Sequence, residues 1–394
     1  MKTIFIFWTE RLNEQRGGVH RVILLLLKHL PARGFDVHYL YTLDDYKSFR
    51  LYNSDQSLED LISVENLKDY LIEHKCDIIL GQDAAFSSSL TTLVKKMNIS
   101  GVKFVSEYHS SFLLIYSKLN YNFLKFEFTQ NSSLRAKLSI LFRFIFFPLW
   151  KKRVWKILAK NFRYTLTNSN VTLLLSAREI PIAKSILGTE QNVRFVSIPN
   201  PLSWEKVEEP AILQQKKKEV LVVSRLYNPE KRIDIVLKVW KKLQDRGCID
   251  DWTLTIIGDG LHKDYLMQMS ADMNLCNVVW KGWGDPKPYY KKASIFMMTS
   301  ASEGWGLTLT ESMQSGVVPI ALDTYPALHD IITDGYDGYI VKPNDIKTYA
   351  DRMQFLIENP LEREKIALNG LESCKRFSTE KVMDKWAEML NNVD

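Results

Sequence analysis

Short apolar runs recur along the chain, and between them lie stretches whose apolar residues fall three and four positions apart. In the first half, residues 3–8, 35–41, 77–81, 102–106, 164–168 and 193–198 read as strands, and leucine-rich 19–30 reads as a helix. In the second half, 220–224, 253–257, 278–280, 295–298, 318–322 and 339–341 read as strands. Apolar strands alternating with helical segments predict mostly parallel sheets covered on both faces. The helix after Asn228-Pro229 is the best marked. Asn228 suits the N-cap and Pro229 the first position; Ile233, Val236, Leu237, Trp240 and Leu243 form one apolar stripe, and Gly247 ends the run.

The polar segment 203–218 contains Glu208-Glu209-Pro210, ends in three lysines and separates two similar halves. The pattern therefore predicts a first domain at 1–202, a linker at 203–218, a second domain at 219–378 and a closing helix within 379–394. A chain of 394 residues can bury two cores, and 46% hydrophobic with 25% charged residues is ordinary for a globular protein. Cys76, Cys248, Cys276 and Cys374 have neither metal-ligand nor redox spacing, which points to a reducing compartment. The first apolar run passes directly into Thr9, Glu10 and Arg11, so it reads as a core strand and not a secretory signal. A cytoplasmic location is expected.

The net charge of +6 is local. Residues 133–163 hold nine Lys or Arg and no Asp or Glu, interleaved with Phe142, Phe144, Phe146, Phe147, Trp150, Trp155 and Phe162. Such a segment suits peripheral contact with an anionic membrane; nucleic acid would draw on similar residues, and a helix pair could instead turn the aromatics inward. Its longest uncharged run, 144–150, is far too short to span a bilayer.

The densest chemistry lies at 302–319. Glu303 and Glu311 stand eight residues apart, around Gly304, Gly306 and a helix-compatible run at 307–315 with Gly316 as its stop. A carboxylate beyond a strand end, beside a helix N-terminus, suits a polar ligand such as a sugar diphosphate. Thr308-x-x-Glu311 also fits a capping box, which would employ Glu311 in the helix itself. Ser224-Arg225 follows another strand and Lys231 lies six residues on. Fixed cations there could stabilise a departing diphosphate. There is no aspartate cluster suited to a divalent ion, so no metal is expected.

The segment Glu-Gly-Trp-Gly-Leu-Thr with Glu303 and Glu311, together with Ser-Arg-Leu-Tyr-Asn-Pro-Glu-Lys at 224–231, resembles family 4 of the retaining glycosyltransferases. The likeness is greatest to bacterial members that build surface polysaccharides, and strongest over 220–341. It implies the GT-B fold, an α/β architecture of two Rossmann-like domains with mostly parallel sheets facing across a cleft. It implies a hexosyltransferase that needs no cofactor. The donor is a nucleotide-sugar, UDP-linked more readily than GDP-linked, and the acceptor a saccharide or polyprenyl-linked saccharide. No nucleic-acid partner is expected.

The resemblance assigns Arg225 and Lys231 to the diphosphate, Glu303 to sugar hydroxyls and Glu311 to the nucleotide ribose. Gly306, Leu307 and Thr308 would bind the nucleotide-sugar, Gly258 would pack near the nucleotide, and Gly284 would lie in the segment reading the base. In the first domain, Gly18 would approach the sugar phosphate, although a Gly-Gly pair often serves only a turn. His109, past the strand 102–106, would orient donor sugar or acceptor; a lone histidine can equally be structural. Acceptor specificity is expected in loops such as 108–121. The alternatives are a non-catalytic, membrane-associated nucleotide-sugar binder, or a GT-B epimerase or phosphorylase.

Overall fold

In the computed structural model β1 (Lys2–Trp8) is apolar at nearly every position because both of its faces are covered. Ile4, Ile6 and Trp8 pack with the helix Gly18–His29 on one face, while Phe5 and Phe7 pack with Leu67, Leu71 and Leu90 on the other. The alternation is the two-residue period of a strand. The structure describes residues 1–13, 17–44, 46–52, 60–82, 88–112, 121–130, 133–188 and 193–393. Of the loop 108–121, residues 113–120 lie outside the described residues.

The chain forms two compact units. The first comprises 1–112, 146–201 and 379–394. Its further strands are β2 (Phe35–Tyr41), β3 (Ser48–Leu51), β4 (Leu61–Ser63), β5 (Cys76–Gln82), β6 (Lys103–Tyr108), β7 (Val171–Leu174) and β8 (Phe195–Ser197). They lie in the order β4-β3-β2-β1-β5-β6-β7-β8. The pairs β2–β3 and β3–β4 are antiparallel and the rest are parallel. The helix Thr379–Asn391 returns to this unit, with Val382, Met383, Trp386 and Leu390 buried beside Ile4 and Ile6. Lys2 Nζ donates to Leu390 O at 2.9 Å, and Arg33 pairs with Asp384 at 2.7 Å.

The second unit comprises 113–145 and 202–378. Its strands are β9 (Glu219–Val223), β10 (Thr253–Ile257), β11 (Val278–Gly282), β12 (Ile295–Met298), β13 (Val318–Leu322) and β14 (Tyr339–Val341). All pair in parallel, in the order β11-β10-β9-β12-β13-β14. Val236, Leu237, Trp240 and Leu243 of the helix Ile233–Asp245 are buried in its core, and the Trp240 indole donates to Cys276 O at 2.9 Å. The polar segment before β9 is anchored here. Ile212 is buried, and Lys216 Nζ donates to Tyr290 O and Ser315 O, with burial pulling its pKa down to about 7.

Three local expectations are corrected. Residues 164–168 do not form a strand; they end the helix Phe147–Thr167, and the strand follows at Val171–Leu174. Phe162, Thr165 and Leu166 are buried at helical spacing, which a five-residue window cannot tell from a strand. Asn228 and Pro229 do not directly start the long helix, which begins at Ile233 after Arg232. Asn228 opens a short helix, Asn228–Lys231, that ends at Arg232 in the left-handed region (φ +52°). Its side chain instead accepts from Asp234 N at 2.9 Å and so caps the second helix, Ile233–Asp245. Thr308 and Glu311 form no capping box: the cap is Gly306, and Glu311 accepts from Ser203 Oγ at 2.6 Å.

The basic aromatic stretch is helical, at Leu134–Ile145 and Phe147–Thr167. Its apolar residues divide. Phe147 and Phe162 are buried, whereas Leu134, Leu138, Leu141, Phe142 and Ile145 are exposed along one stripe of their helix. Among the described residues, no helix is long and apolar enough to cross a membrane.

Candidate functional site

In the second unit the sheet order reverses around β9, since β10 lies on one side of it and β12 on the other. The crevice beyond the carboxyl ends of two such strands is where open α/β sheets hold ligands. The segments leaving β9 and β12 carry Arg225, Lys231 and Glu303. Lys231 Nζ lies 2.6 Å from Glu303 Oε1 and 3.2 Å from Glu230 Oε1. Arg225 reaches the same Glu230 oxygen at 3.0 Å, yet its side chain remains 73% exposed. Burial opposes the charge on Lys231, but Glu303 and Glu230 outweigh it and raise its pKa. The result is one buried cation, one exposed cation and a carboxylate together at a strand end.

Backbone contacts hold this arrangement. Thr299 Oγ1 donates to Lys231 O and Arg232 O, both at 3.0 Å, and Ala301 N donates to Glu230 O at 2.7 Å. The short helix bearing Lys231 is thereby tied to the end of β12. Glu230 is the member that sequence reasoning missed. It sits inside the quoted segment at 224–231, and its spacing, five residues after Arg225 and beside Lys231, was the available signal.

Gly258 follows β10 at φ +143°, and a Cβ there would stand 1.8 Å from Ser224 O. Only glycine lets the ends of β9 and β10 approach so closely. Gly306 has φ +93°, and a Cβ there would meet the Tyr325 hydroxyl at 2.5 Å. Leu307 and Thr308 begin the helix Leu307–Gln314 and are half-buried. Gly284 is exposed, with nothing within 4 Å of an added Cβ. Glu311 is buried, and Ser203 takes one of its oxygens.

Two further groups border the Glu303 loop. The Tyr325 hydroxyl and the Trp305 indole nitrogen are buried, and neither has a hydrogen-bond partner among the described residues. Burial, with Glu303 nearby, raises the Tyr325 pKa far above its usual value. Sequence reasoning missed Tyr325 because an aromatic near Pro326 reads as core.

The first unit gathers a separate set at its own strand ends. His109 is buried just past β6, and its Nε2 is hydrogen-bonded to Gln82 Oε1 at the end of β5. Glu107 Oε2 lies 3.6 Å from the same nitrogen. Gly18 is the first residue of the helix Gly18–His29 and is half-buried. Among the described residues, no group of three or more His, Cys, Asp or Glu could hold a metal ion.

Two Rossmann-like units with polar groups at their strand ends define the GT-B class, and this chain belongs to the glycosyltransferases. Residues 205–373 match the family model described as glycosyl transferases group 1, and residues 16–178 match that of glycosyltransferase family 4. It is similar to a poly(ribitol-phosphate) α-N-acetylglucosaminyltransferase of Staphylococcus aureus, 27% identical over 240 residues, 59% of this chain and 47% of that protein. It is similar also to a lipopolysaccharide 1,6-galactosyltransferase of Salmonella typhimurium, 27% identical over 222 residues, 54% of this chain and 58% of that protein. The alignments span about half the length of these curated relatives. The fold matches that of the pneumococcal O-GlcNAc transferase GtfA, solved with UDP and GlcNAc. The TM-score is 0.69 at 12% identity, over 100% of this chain and 99% of that one. It also matches the lipopolysaccharide outer core galactosyltransferase WaaB, with a TM-score of 0.66 at 17% identity, over 99% and 100% of the two chains.

Proposed function

We propose that this chain transfers a hexosyl unit, with retention of configuration, from a UDP-sugar to a saccharide or lipid-linked saccharide acceptor in the synthesis of a bacterial surface polysaccharide. The observation that carries the reading is the Lys231–Glu303 pair with Arg225 at the β9/β12 crevice. Arg225 and Lys231 meet the diphosphate, and Glu303 accepts from hydroxyls of the donor sugar. Gly306, Leu307 and Thr308 offer backbone N–H groups at a helix start. Glu311 holds the ribose, and Gly258 and Gly284 border the nucleoside. Gly18 and His109 serve the sugar-phosphate and sugar ends from the first unit. The bacterial relatives that transfer N-acetylglucosamine or galactose to surface polymers support the acceptor class, and the UDP held by GtfA supports the nucleotide.

In this mechanism the bond from the sugar's anomeric carbon to the diphosphate breaks as the acceptor oxygen bonds to the same face. The acceptor's proton passes to the departing phosphate oxygen. Charge grows on the diphosphate, and preorganised cations there stabilise it more than water would. No covalent nucleophile is assigned. Peripheral attachment to an anionic membrane, through the exposed apolar stripe and the cations of 133–163, brings the enzyme to a polyprenyl-linked acceptor.

Calorimetric titration of UDP, GDP and ADP into the wild type and Arg225→Ala tests the reading. Selective binding of UDP that weakens about 10- to 100-fold in the variant supports it, as expected for a charge-assisted contact of about 1.5–3 kcal/mol. Binding of no nucleotide, or equal binding by the variant, overturns it.

A further inference from the structure

Arg225 and Lys231 share one carboxylate oxygen, and they depend on it unequally. Glu230 Oε1 receives Arg225 Nη2 at 3.0 Å and Lys231 Nζ at 3.2 Å. The two nitrogens therefore stand no more than about 6 Å apart, the sum of those distances. Lys231 has a second anchor in Glu303, and its side chain is only 12% exposed. Arg225 has neither anchor nor cover. Its side chain is 73% exposed, and among the described residues its one hydrogen-bond partner is Glu230.

Glu230 itself is held from several sides. Its side chain is 9% exposed, and its carbonyl accepts from Ala301 N at 2.7 Å. Thr299 ties the same helical turn to the end of β12. A long arginine side chain in water loses rotamer freedom when a ligand captures it, which weakens binding. A fixed carboxylate removes part of that cost beforehand. The bond need not break when a phosphate arrives. A guanidinium has five N–H donors, of which Glu230 takes one, and an ammonium has three, of which Glu230 and Glu303 take at most two. Both cations keep donors for an anion while still bonded to Glu230.

We infer that Glu230 is a positioning residue: through one oxygen it holds the exposed Arg225 guanidinium beside the Lys231 ammonium, so that the two cations meet the donor's diphosphate as a preset pair. This rests on the UDP-sugar site proposed above. Glu230 also carries the same sign of charge as the phosphates, and that charge opposes the ligand. Charge and position are separable, because glutamine keeps an oxygen acceptor without the charge and alanine keeps neither.

Calorimetric titration of UDP into Glu230→Gln and Glu230→Ala, each with Arg225 present and with Arg225→Ala, tests this. With Arg225 present, the alanine variant should bind UDP about 5- to 10-fold more weakly than the glutamine variant, the worth of one hydrogen bond. In the Arg225→Ala background the two should bind alike. Equal affinities with Arg225 present overturn the inference. So does a difference that persists without Arg225, which would make Glu230 a general support of the fold. If the alanine variant does not fold, the guanidinium N–H spectrum of Arg225 in the ligand-free wild type decides, assigned by its loss in Arg225→Ala. Slowed rotation of the Nη groups is expected, and free rotation overturns the inference. A wild type that binds no UDP overturns the reading of the site, and the same spectrum then still decides whether Glu230 holds Arg225.

Discussion

Lys231 Nζ and Glu303 Oε1 lie 2.6 Å apart although 72 positions separate them in the chain. Neither is free to relax into water, with side chains only 12% and 20% exposed. Removing Lys231 strands Glu303, which costs about 3 kcal/mol at the low end for buried pairs, whereas removing Glu303 leaves Lys231 with Glu230 and costs less. Lys231→Met and Glu303→Gln should therefore each lower stability, and the double variant should lose less than the two together. Urea unfolding of the four proteins reads the coupling, expected at about 1–3 kcal/mol. Simple additivity would show that the pair is not a unit.

Gly306 and Tyr325 make a second pair. Gly306→Ala places a Cβ in a left-handed backbone and against the Tyr325 hydroxyl, so a loss of about 2 kcal/mol is expected. Tyr325→Phe removes a buried hydroxyl that has no hydrogen-bond partner among the described residues and should leave stability level or higher. Combining the two should recover part of the Gly306→Ala loss, since only the backbone strain remains. Thermal melts of the three variants decide it.

The buried Glu107 and His109 make stability depend on pH in opposite senses. Folded Glu107 keeps its proton up to about pH 8, while the unfolded carboxyl releases it near 4.5, so its contribution falls as pH rises through that window. Folded His109 stays neutral down to about pH 3, while the unfolded ring takes a proton near 6.5, so its contribution falls as pH drops through that window. The slopes oppose one another between 4.5 and 6.5. Glu107→Gln should gain stability relative to the wild type as pH rises from 6.5 to 8. His109→Gln should gain relative to the wild type as pH falls from 4.5 to 3. Urea midpoints across these ranges measure both, and parallel curves would refute the assignment.

The exposed stripe of the helix Leu134–Ile145 predicts membrane behaviour. Sedimentation with vesicles of anionic phospholipid should carry down the wild type, and purely zwitterionic vesicles should not. Each Lys or Arg near such a surface contributes about 1 kcal/mol, so reversing Lys151 and Lys152 to Glu should abolish most of the binding. Leu138→Asp should weaken it at unchanged charge on the cations. Equal sedimentation with both lipids would remove the electrostatic component.

The parallel strands of the second unit were legible almost to the residue, because a strand buried on both faces is apolar throughout and bounded by polar turns. Residues 253–257, 295–298, 318–322 and 339–341 were read as they are found. The end of the helix Phe147–Thr167 was misread because its last buried turn is short and apolar like a strand. At the candidate site, Arg225, Lys231 and Glu303 could be picked from the sequence by charge and motif. Glu230 touches both cations, and Gln82 meets His109 across two strands. Glu230 could have been picked by its spacing, but a partner such as Gln82 depends on strand register, which a linear pattern does not carry.

The first unit's core is finished by residues that leave the ribosome last among those described. Lys2 bonds to a carbonyl 388 positions later, and Val382, Met383 and Trp386 fill space beside β1. The second unit's long segment, 202–378, is uninterrupted and can close while the first still waits. Domains usually settle in the order of synthesis. Here the order is inverted: the opening strands must stay unaggregated, with apolar surface uncovered, until the whole second unit has emerged. A stop codon after Ser378 would therefore damage the half of the protein farthest from it in sequence.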